Sequence, residues 1–279
     1  MYTALNLSPA DGRVDTDAIF KGALYFFNPM PASLSLSKHA LEYVAQSFPD
    51  GCRLEGDSDV ELADFISKAQ AAKSGFTNCE TTKQILEELI RFRYASVNAK
   101  DIFYDVPRLR IVPTSTLLSS GISYNYLPHR DTWYGGGQEQ INHWISVDNV
   151  TEDSTFYLSP SYFSREIDNN SEIFDLDVWD STHRKDAKQS MRKEERPHPV
   201  PLEELPNSSK MVVVMPQGHE ICFSGHHLHG SLPNTTKNVR LSIDFRVNIP
   251  SLIPTAPHNI DSRAKGDYHK YMVKLQNDN

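Results

Sequence analysis

From residue 108 onward the apolar residues arrive in short β-prone runs broken by turn residues, and this patterning restricts the fold more than any other feature of the chain. The runs are residues 108–118, 122–127, 140–147, 154–158, 211–215, 220–223 and 239–249, rich in valine, isoleucine, tyrosine and phenylalanine. Gly121, Gly135-Gly136-Gly137, Pro160, Pro216-Gln217-Gly218 and Pro233-Asn234 punctuate them. Many short strands with such breaks bury their apolar faces against one another in a double-sheet jelly roll or barrel, and they argue against a parallel α/β sheet. The expected class is therefore mainly β with flanking helices.

The strongest helical spacing lies in the first hundred residues. Leu41, Val44, Ala45 and Phe48 share a stripe over residues 37–48, which Pro49 and Gly51 end. Residues 59–73 form a second expected helix, capped by Ser58 and closed by Gly75. A third starts from an Asn78 cap and buries Ile85, Leu86, Leu89 and Ile90. The expected organisation is one domain, with a helical part (1–100) packed on a jelly-roll core (101–279) that carries a polar insertion at 161–209. An insertion of that length often covers a site.

At 279 residues, 39% hydrophobic and 23% charged, the chain can build a core without cross-links. Its 28 basic and 36 acidic residues leave a net charge of -8, which argues against nucleic acid or an anionic membrane surface as a partner. Cys52, Cys79 and Cys222 are too scattered for a disulfide framework or a metal clip. With no leader-like start and no run near the roughly 20 apolar residues that span a bilayer, the expectation is a soluble, cytoplasmic protein.

The chemistry concentrates at Pro128-His129-Arg130-Asp131, directly after the expected strand 122–127. In an extended chain, positions two apart point the same way, so His129 and Asp131 can offer an imidazole and a carboxylate to one point. A distant strand can bring a third ligand, and the run Gly225-His226-His227-Leu228-His229-Gly230-Ser231 supplies histidines where one is needed. Two histidines and one carboxylate on one face of a metal suit non-haem iron(II), with positions left open for a co-substrate and dioxygen. His227 and His229 share a side if the segment is extended, and the spacing to the following strand favours His229. In that strand Arg240, Ser242, Asp244 and Arg246 alternate with Leu241, Ile243 and Phe245. An arginine turned toward a core needs an anionic partner, and a dicarboxylic acid gripped by the guanidinium fork is one.

His129-x-Asp131, the run from Trp144 to Ser154 leading to Leu158-Ser159-Pro160, His229-Gly230-Ser231 with Asn234, and Arg240 eleven residues beyond His229 form an ordered set. In this set, spread over about 120 residues, the chain resembles the phytanoyl-CoA dioxygenase group of iron(II)- and 2-oxoglutarate-dependent oxygenases. The resemblance implies a double-stranded β-helix core, the cupin-like jelly roll. It implies Fe(II) on His129, Asp131 and His229, and 2-oxoglutarate held by Arg240 and Ser231. It further implies oxidation of a small molecule by dioxygen with succinate and carbon dioxide as co-products, hydroxylation of an unactivated C–H bond being the expected outcome. The resemblance does not reach the first hundred residues and carries no substrate.

Gln140 and Asn142, on one side of their strand, are candidates to donate to 2-oxoglutarate or substrate. Trp133, Tyr134 and Trp144, with Tyr124 and Tyr126, are candidates to line the substrate pocket. The rivals are a cupin-type isomerase or hydrolase that uses the same ligands without 2-oxoglutarate, and a non-catalytic metal-binding protein.

Overall fold

Proline and serine set where the helical layer begins. In the computed structural model, which describes residues 6–7, 9, 11–121, 124, 126–183, 194–252 and 261–276, a short strand β1 (Asn6–Leu7) and a single helical turn α1 (Thr16–Ile19) precede strand β2 (Leu24–Phe27). Helix α2 (Pro31–Ser47) starts six residues earlier than its apolar stripe suggests, because Pro31 occupies the first turn with its φ already set and no amide hydrogen to lose. Helix α3 (Asp59–Asn78) is capped as expected: Glu61 donates its backbone N–H to Ser58 Oγ at 3.3 Å, and the Glu61 carboxylate accepts from the Ser58 N–H. Gly75 does not stop α3. A Cβ at Gly75 would lie 2.6 Å from the Tyr43 ring, so the glycine serves the close approach of α3 to α2. Asn78 is the last residue of α3, and Cys79 takes the cap position of α4 (Glu80–Arg93).

The remaining elements are β3 (Phe103–Tyr104), β4 (Arg108–Val112), β5 (Gln140–Ser146), β6 (Phe156–Leu158), the turn α5 (Leu176–Val178), β7 (Met211–Val212), β8 (Glu220–Ser224), β9 (His229–Ser231), β10 (Arg240–Asn248) and β11 (Val273–Lys274). An eight-stranded sheet runs β1-β2-β8-β5-β10-β3-β11, with β4 also pairing β10, and a three-stranded sheet runs β7-β6-β9. Apart from the β1–β2 pair, the pairings are antiparallel. Along β5 and β10 the register sets Asn142 opposite Arg246 and Trp144 opposite Asp244.

Two apolar layers follow from strand alternation. One face of the large sheet packs Ile141, Ile145, Ile243 and Phe245 against Leu36, Phe65, Leu86 and Ile90 of the helices. The other face turns Trp144, Ile221 and Phe223 toward Phe156 and Leu158 of the small sheet. The space between the sheets becomes the jelly-roll interior, lined by Gln140 and Asn142 of β5, Ser231 of β9 and Arg240, Asp244 and Arg246 of β10, whereas His143 of β5 stacks on Phe245 in the helix-facing layer.

Several expected strands are shorter. Residues 113–118 and 213–215 lie outside β4 and β7, and among the described residues of 122–127 there is no strand; 122, 123 and 125 lie outside the described set. The chain reaches the small sheet there through an isolated His129–His229 bridge. β2 went unanticipated, although its Leu24, Tyr25 and Phe27 are buried beside β8. No helix among the described residues is long and apolar enough to cross a membrane.

Candidate metal centre

The bridge that replaces the expected strand is what assembles the site. His129 donates its backbone N–H to the His229 carbonyl at 2.8 Å, and His229 returns the bond at 3.0 Å, fixing two imidazoles side by side with ring centroids 4.3 Å apart. Asp131 opens a 3-10 turn (Asp131–Tyr134), and its backbone N–H donates to the Gly225 carbonyl at 3.1 Å, which ties the turn to the end of β8. One ligand atom each of His129, Asp131 and His229 lies within 4.8 Å of the others, and His129 Nε2 stands 3.7 Å from Asp131 Oδ1.

Hydrogen bonds decide which atoms are left for an ion. His129 Nδ1 sits 2.8 Å from the Leu127 carbonyl and His229 Nδ1 2.9 Å from the His227 carbonyl. A carbonyl only accepts, so each Nδ1 carries the proton and each Nε2 keeps its lone pair. Burial, assisted by His229, pushes the His129 imidazolium down to about 3, so the ring is neutral over the ordinary pH range. On Asp131, Oδ2 accepts from Gln140 Nε2 at 2.7 Å and Asn142 Nδ2 at 2.5 Å, while Oδ1 faces the imidazoles. Burial raises this carboxyl, but Arg246 above all, then the two histidines, outweigh it and hold the group below the usual range. A neutral-imidazole pair and an oriented carboxylate at the wall of a cavity form a donor set that fits a divalent ion such as iron(II).

Gln140 and Asn142, read from the sequence as donors to a ligand, thus spend their amide N–H groups on Asp131. His226 and His227 are placed elsewhere: His226 Nε2 meets the Gln138 carbonyl at 3.1 Å, and His227 Nδ1 and Nε2 stand 3.2 and 3.3 Å from the Ser224 and Gly22 carbonyls, to one of which the neutral ring donates. Gly136 stands where a Cβ would come within 2.8 Å of both the Asp131 carbonyl oxygen and Gln140 Oε1. Gly136→Ala is accordingly expected to displace the Asp131 turn and weaken metal binding by about 10- to 100-fold, the usual range for disturbed outer partners of a metal ligand; titration of the purified variant with Fe(II) or Mn(II) checks it.

A cavity of about 620 Å³ opens beside these groups. Ser231 and Arg240 line it with the three candidate ligands. Arg240 donates from Nη1 to Ser242 Oγ at 3.0 Å and lies 5.9 Å over the Trp144 ring. Among the described residues no carboxylate pairs with it, whereas Arg110 is bound by Asp244, Arg196 by Glu194, and Arg108 and Arg246 by Asp105. Burial, then Arg110, pushes the Arg240 guanidinium down to about 10. Tyr134 and Trp144 line the cavity, as do Tyr124 and Tyr126. Trp133 is not among its lining residues: it is fully buried and donates Nε1–H to Asp261 at 2.9 Å. Its place in the turn after Asp131 sends the ring away from the cavity, which corrects the expectation for this residue.

Several cavity residues escaped sequence reading. Arg246 Nε lies 3.7 Å from Asp131 Oδ2, and its position on the Arg240 side of β10 was the available signal. Phe174, Leu176 and Trp179 come from the insertion, and His198 stacks on Tyr124 at 4.1 Å, so the described parts of 161–209 wall the cavity; 184–193 lie outside the described residues. A second group of possible ligands, His143, Glu220 and Cys222, is fully buried. Arg93 already neutralises that carboxylate with bonds of 3.1 and 2.7 Å, Tyr94 meets His143 Nε2 at 2.6 Å, and burial pushes the Cys222 thiol well up. These are the marks of a closed polar network, not of a cation site.

No family model and no curated protein matches the sequence. Among solved structures, the apo form of the non-heme monooxygenase ThoJ is 14% identical over 85% of this chain and 78% of that one, with a TM-score of 0.50. The non-heme alpha-ketoglutarate-dependent carbocyclase SnoK, from nogalamycin biosynthesis, is 14% identical over 92% and 94%, with a TM-score of 0.47. The nickel complex of ThoJ is 15% identical over 91% and 87%, with a TM-score of 0.46. At such identities the likeness to apo ThoJ concerns the backbone, and with the two-sheet topology it establishes that this chain folds as a jelly roll with flanking helices.

Proposed function

We propose that this protein is an iron(II)- and 2-oxoglutarate-dependent oxygenase that hydroxylates an unactivated C–H bond of a small molecule. The observation that carries the reading is the meeting in one cavity of His129, Asp131 and His229 with Arg240, which among the described residues forms no ion pair with a carboxylate. His129 and His229 would hold the metal through Nε2 and Asp131 through Oδ1. The chemistry supplied there is a coupled oxidation: one atom of dioxygen ends in succinate, the other in the new hydroxyl, and carbon dioxide is released.

The chain's own residues supply orientation. Arg240, helped by Ser231 of the same cavity wall, clasps the distal carboxylate of the keto acid, and the guanidinium fork sets its angle as well as its affinity. Gln140 and Asn142 keep Asp131 turned toward the ion. The aromatic wall of Tyr124, Tyr126, Tyr134 and Trp179 excludes water from the reacting centre.

The test is succinate formation by purified protein with Fe(II), dioxygen and 2-oxoglutarate, screened across amino acids, acyl conjugates and natural-product intermediates, with products identified by mass. Turnover of a substrate at equal rate without the keto acid would instead indicate a cupin-type isomerase or hydrolase. Arg240→Met is expected to raise the KM for 2-oxoglutarate about 10- to 100-fold, the range for losing a charge-assisted bond, while leaving Fe(II) binding in place.

A further inference from the structure

Helix α3 belongs to the part of the chain that the motifs do not explain, yet it contributes a residue to the cavity. Ala69, Ala72 and Phe76 bury one face of α3, and Thr77 Oγ1 donates to the Pro107 carbonyl at 2.8 Å, which pins the end of the helix to the chain entering β4. Between Ala72 and Phe76 stands Lys73, which lines the cavity together with Arg110 of β4 and Asp244 and Arg240 of β10.

We propose that Lys73 joins Arg240 in binding the distal carboxylate of 2-oxoglutarate, an inference that rests on the oxygenase reading above. The local charges favour it. Arg110 and Asp244 are engaged with each other, Arg110 Nη2 donating to Asp244 Oδ2 at 2.9 Å, so their charges largely offset. Arg240 offers a planar fork that suits two carboxylate oxygens in one plane, and an ammonium on a flexible stem complements it by approaching from outside that plane. The keto acid would then be held between the strand that follows His229 and a helix about 170 residues away from that strand in sequence. This gives the helical layer a part in recognition beyond packing.

Protonation couples to this role. Burial pushes the Lys73 ammonium down to about 7, with Arg110 and Arg240 adding to the effect and Asp244 opposing it. Near pH 8 the amine is therefore largely neutral before the ligand arrives, and a carboxylate beside it favours the charged form. Binding takes up a proton. The affinity for 2-oxoglutarate is flat below pH 7 and weakens above it, by up to about tenfold per pH unit.

The experiment is anaerobic isothermal titration of 2-oxoglutarate into the Fe(II)-loaded protein at pH 6.5 and 8.5, in two buffers of different ionisation heat, for wild type, Lys73→Met, Lys73→Arg and Arg240→Met. At pH 8.5 the expected result is uptake of nearly one proton by wild type and none by Lys73→Met or Lys73→Arg. Lys73→Met is expected to bind about tenfold more weakly than wild type at pH 6.5, and Lys73→Arg to bind about as well at both pH values. Equal affinity and equal proton uptake in wild type and Lys73→Met, with Arg240→Met weakened, overturns the role of Lys73 alone. Failure of wild type to bind the keto acid overturns the oxygenase reading and this inference together.

Discussion

Asp131→Ala is expected to abolish 2-oxoglutarate turnover and to lower iron affinity by more than the roughly 10- to 100-fold typical of outer-partner mutations, because it removes the one carboxylate among the candidate ligands. The loss goes beyond one donor atom. Gln140 Nε2 and Asn142 Nδ2 both donate to Asp131 Oδ2, and the charge of Arg246 is balanced in part by the same group. Without it, two buried amides lose an acceptor and a guanidinium is left facing two imidazoles. Metal analysis of protein purified with Fe(II) or Mn(II) reads the effect directly. His227→Ala is the control, since that ring stands outside the group formed by His129, Asp131 and His229 and turns its nitrogens toward the Ser224 and Gly22 carbonyls, and its metal content should stay within a factor of two of wild type. Equal metal content in Asp131→Ala and wild type would remove the foundation of the proposed function.

How far such a site is legible in sequence depends on how local its determinants are. His129 and Asp131 are two residues apart, so their convergence needs little more than strand geometry. His229 is legible because Arg240 follows at a characteristic distance on an alternating strand. What remained hidden is set by tertiary packing. Gly75 reads as a helix stop and is instead the contact point of two helices, which nothing within α3 reveals. Trp133 shares the Asp131 turn with Tyr134, yet a 3-10 turn sends the two rings in different directions, one to Asp261 and one into the cavity. Lys73 sits in a helix whose stripe reports only its buried face, and only the crossing of α3 over β4 brings it toward Arg240. The amide residues of β5 were legible as polar groups sharing one side, but their partner follows from where the 3-10 turn sets Asp131.

Glu220→Ala is expected to destabilise the fold by about 3–5 kcal/mol, the cost of leaving a buried charge without its partner. Arg93 and Glu220 are 2% and 0% exposed, and the carboxylate accepts two bonds from the guanidinium while His143 Nδ1 stands 2.6 Å from its other oxygen. Removal strands Arg93 between Phe27, whose ring lies 3.8 Å below the guanidinium, and the Gly12 carbonyl it also binds. For a chain of this size the melting temperature should fall by roughly 10 °C. Glu220→Gln separates charge from shape: it keeps the volume and one acceptor, and should lose less. The pH dependence carries the same signature. Burial raises the Glu220 carboxyl, but Arg93 and His143 outweigh it and bring it down to about 2, so the group binds its proton more readily unfolded than folded. Its stabilisation is complete above the unfolded value near 4.5 and is lost as pH falls toward 2. Melting temperatures of wild type should therefore drop more steeply than those of Glu220→Gln across that acid window. If the two fall in parallel, the charge on Glu220 does not hold Arg93 in place. If Glu220→Gln also loses metal, the His143 group is no closed network and takes part in the metal chemistry from the opposite face of β5.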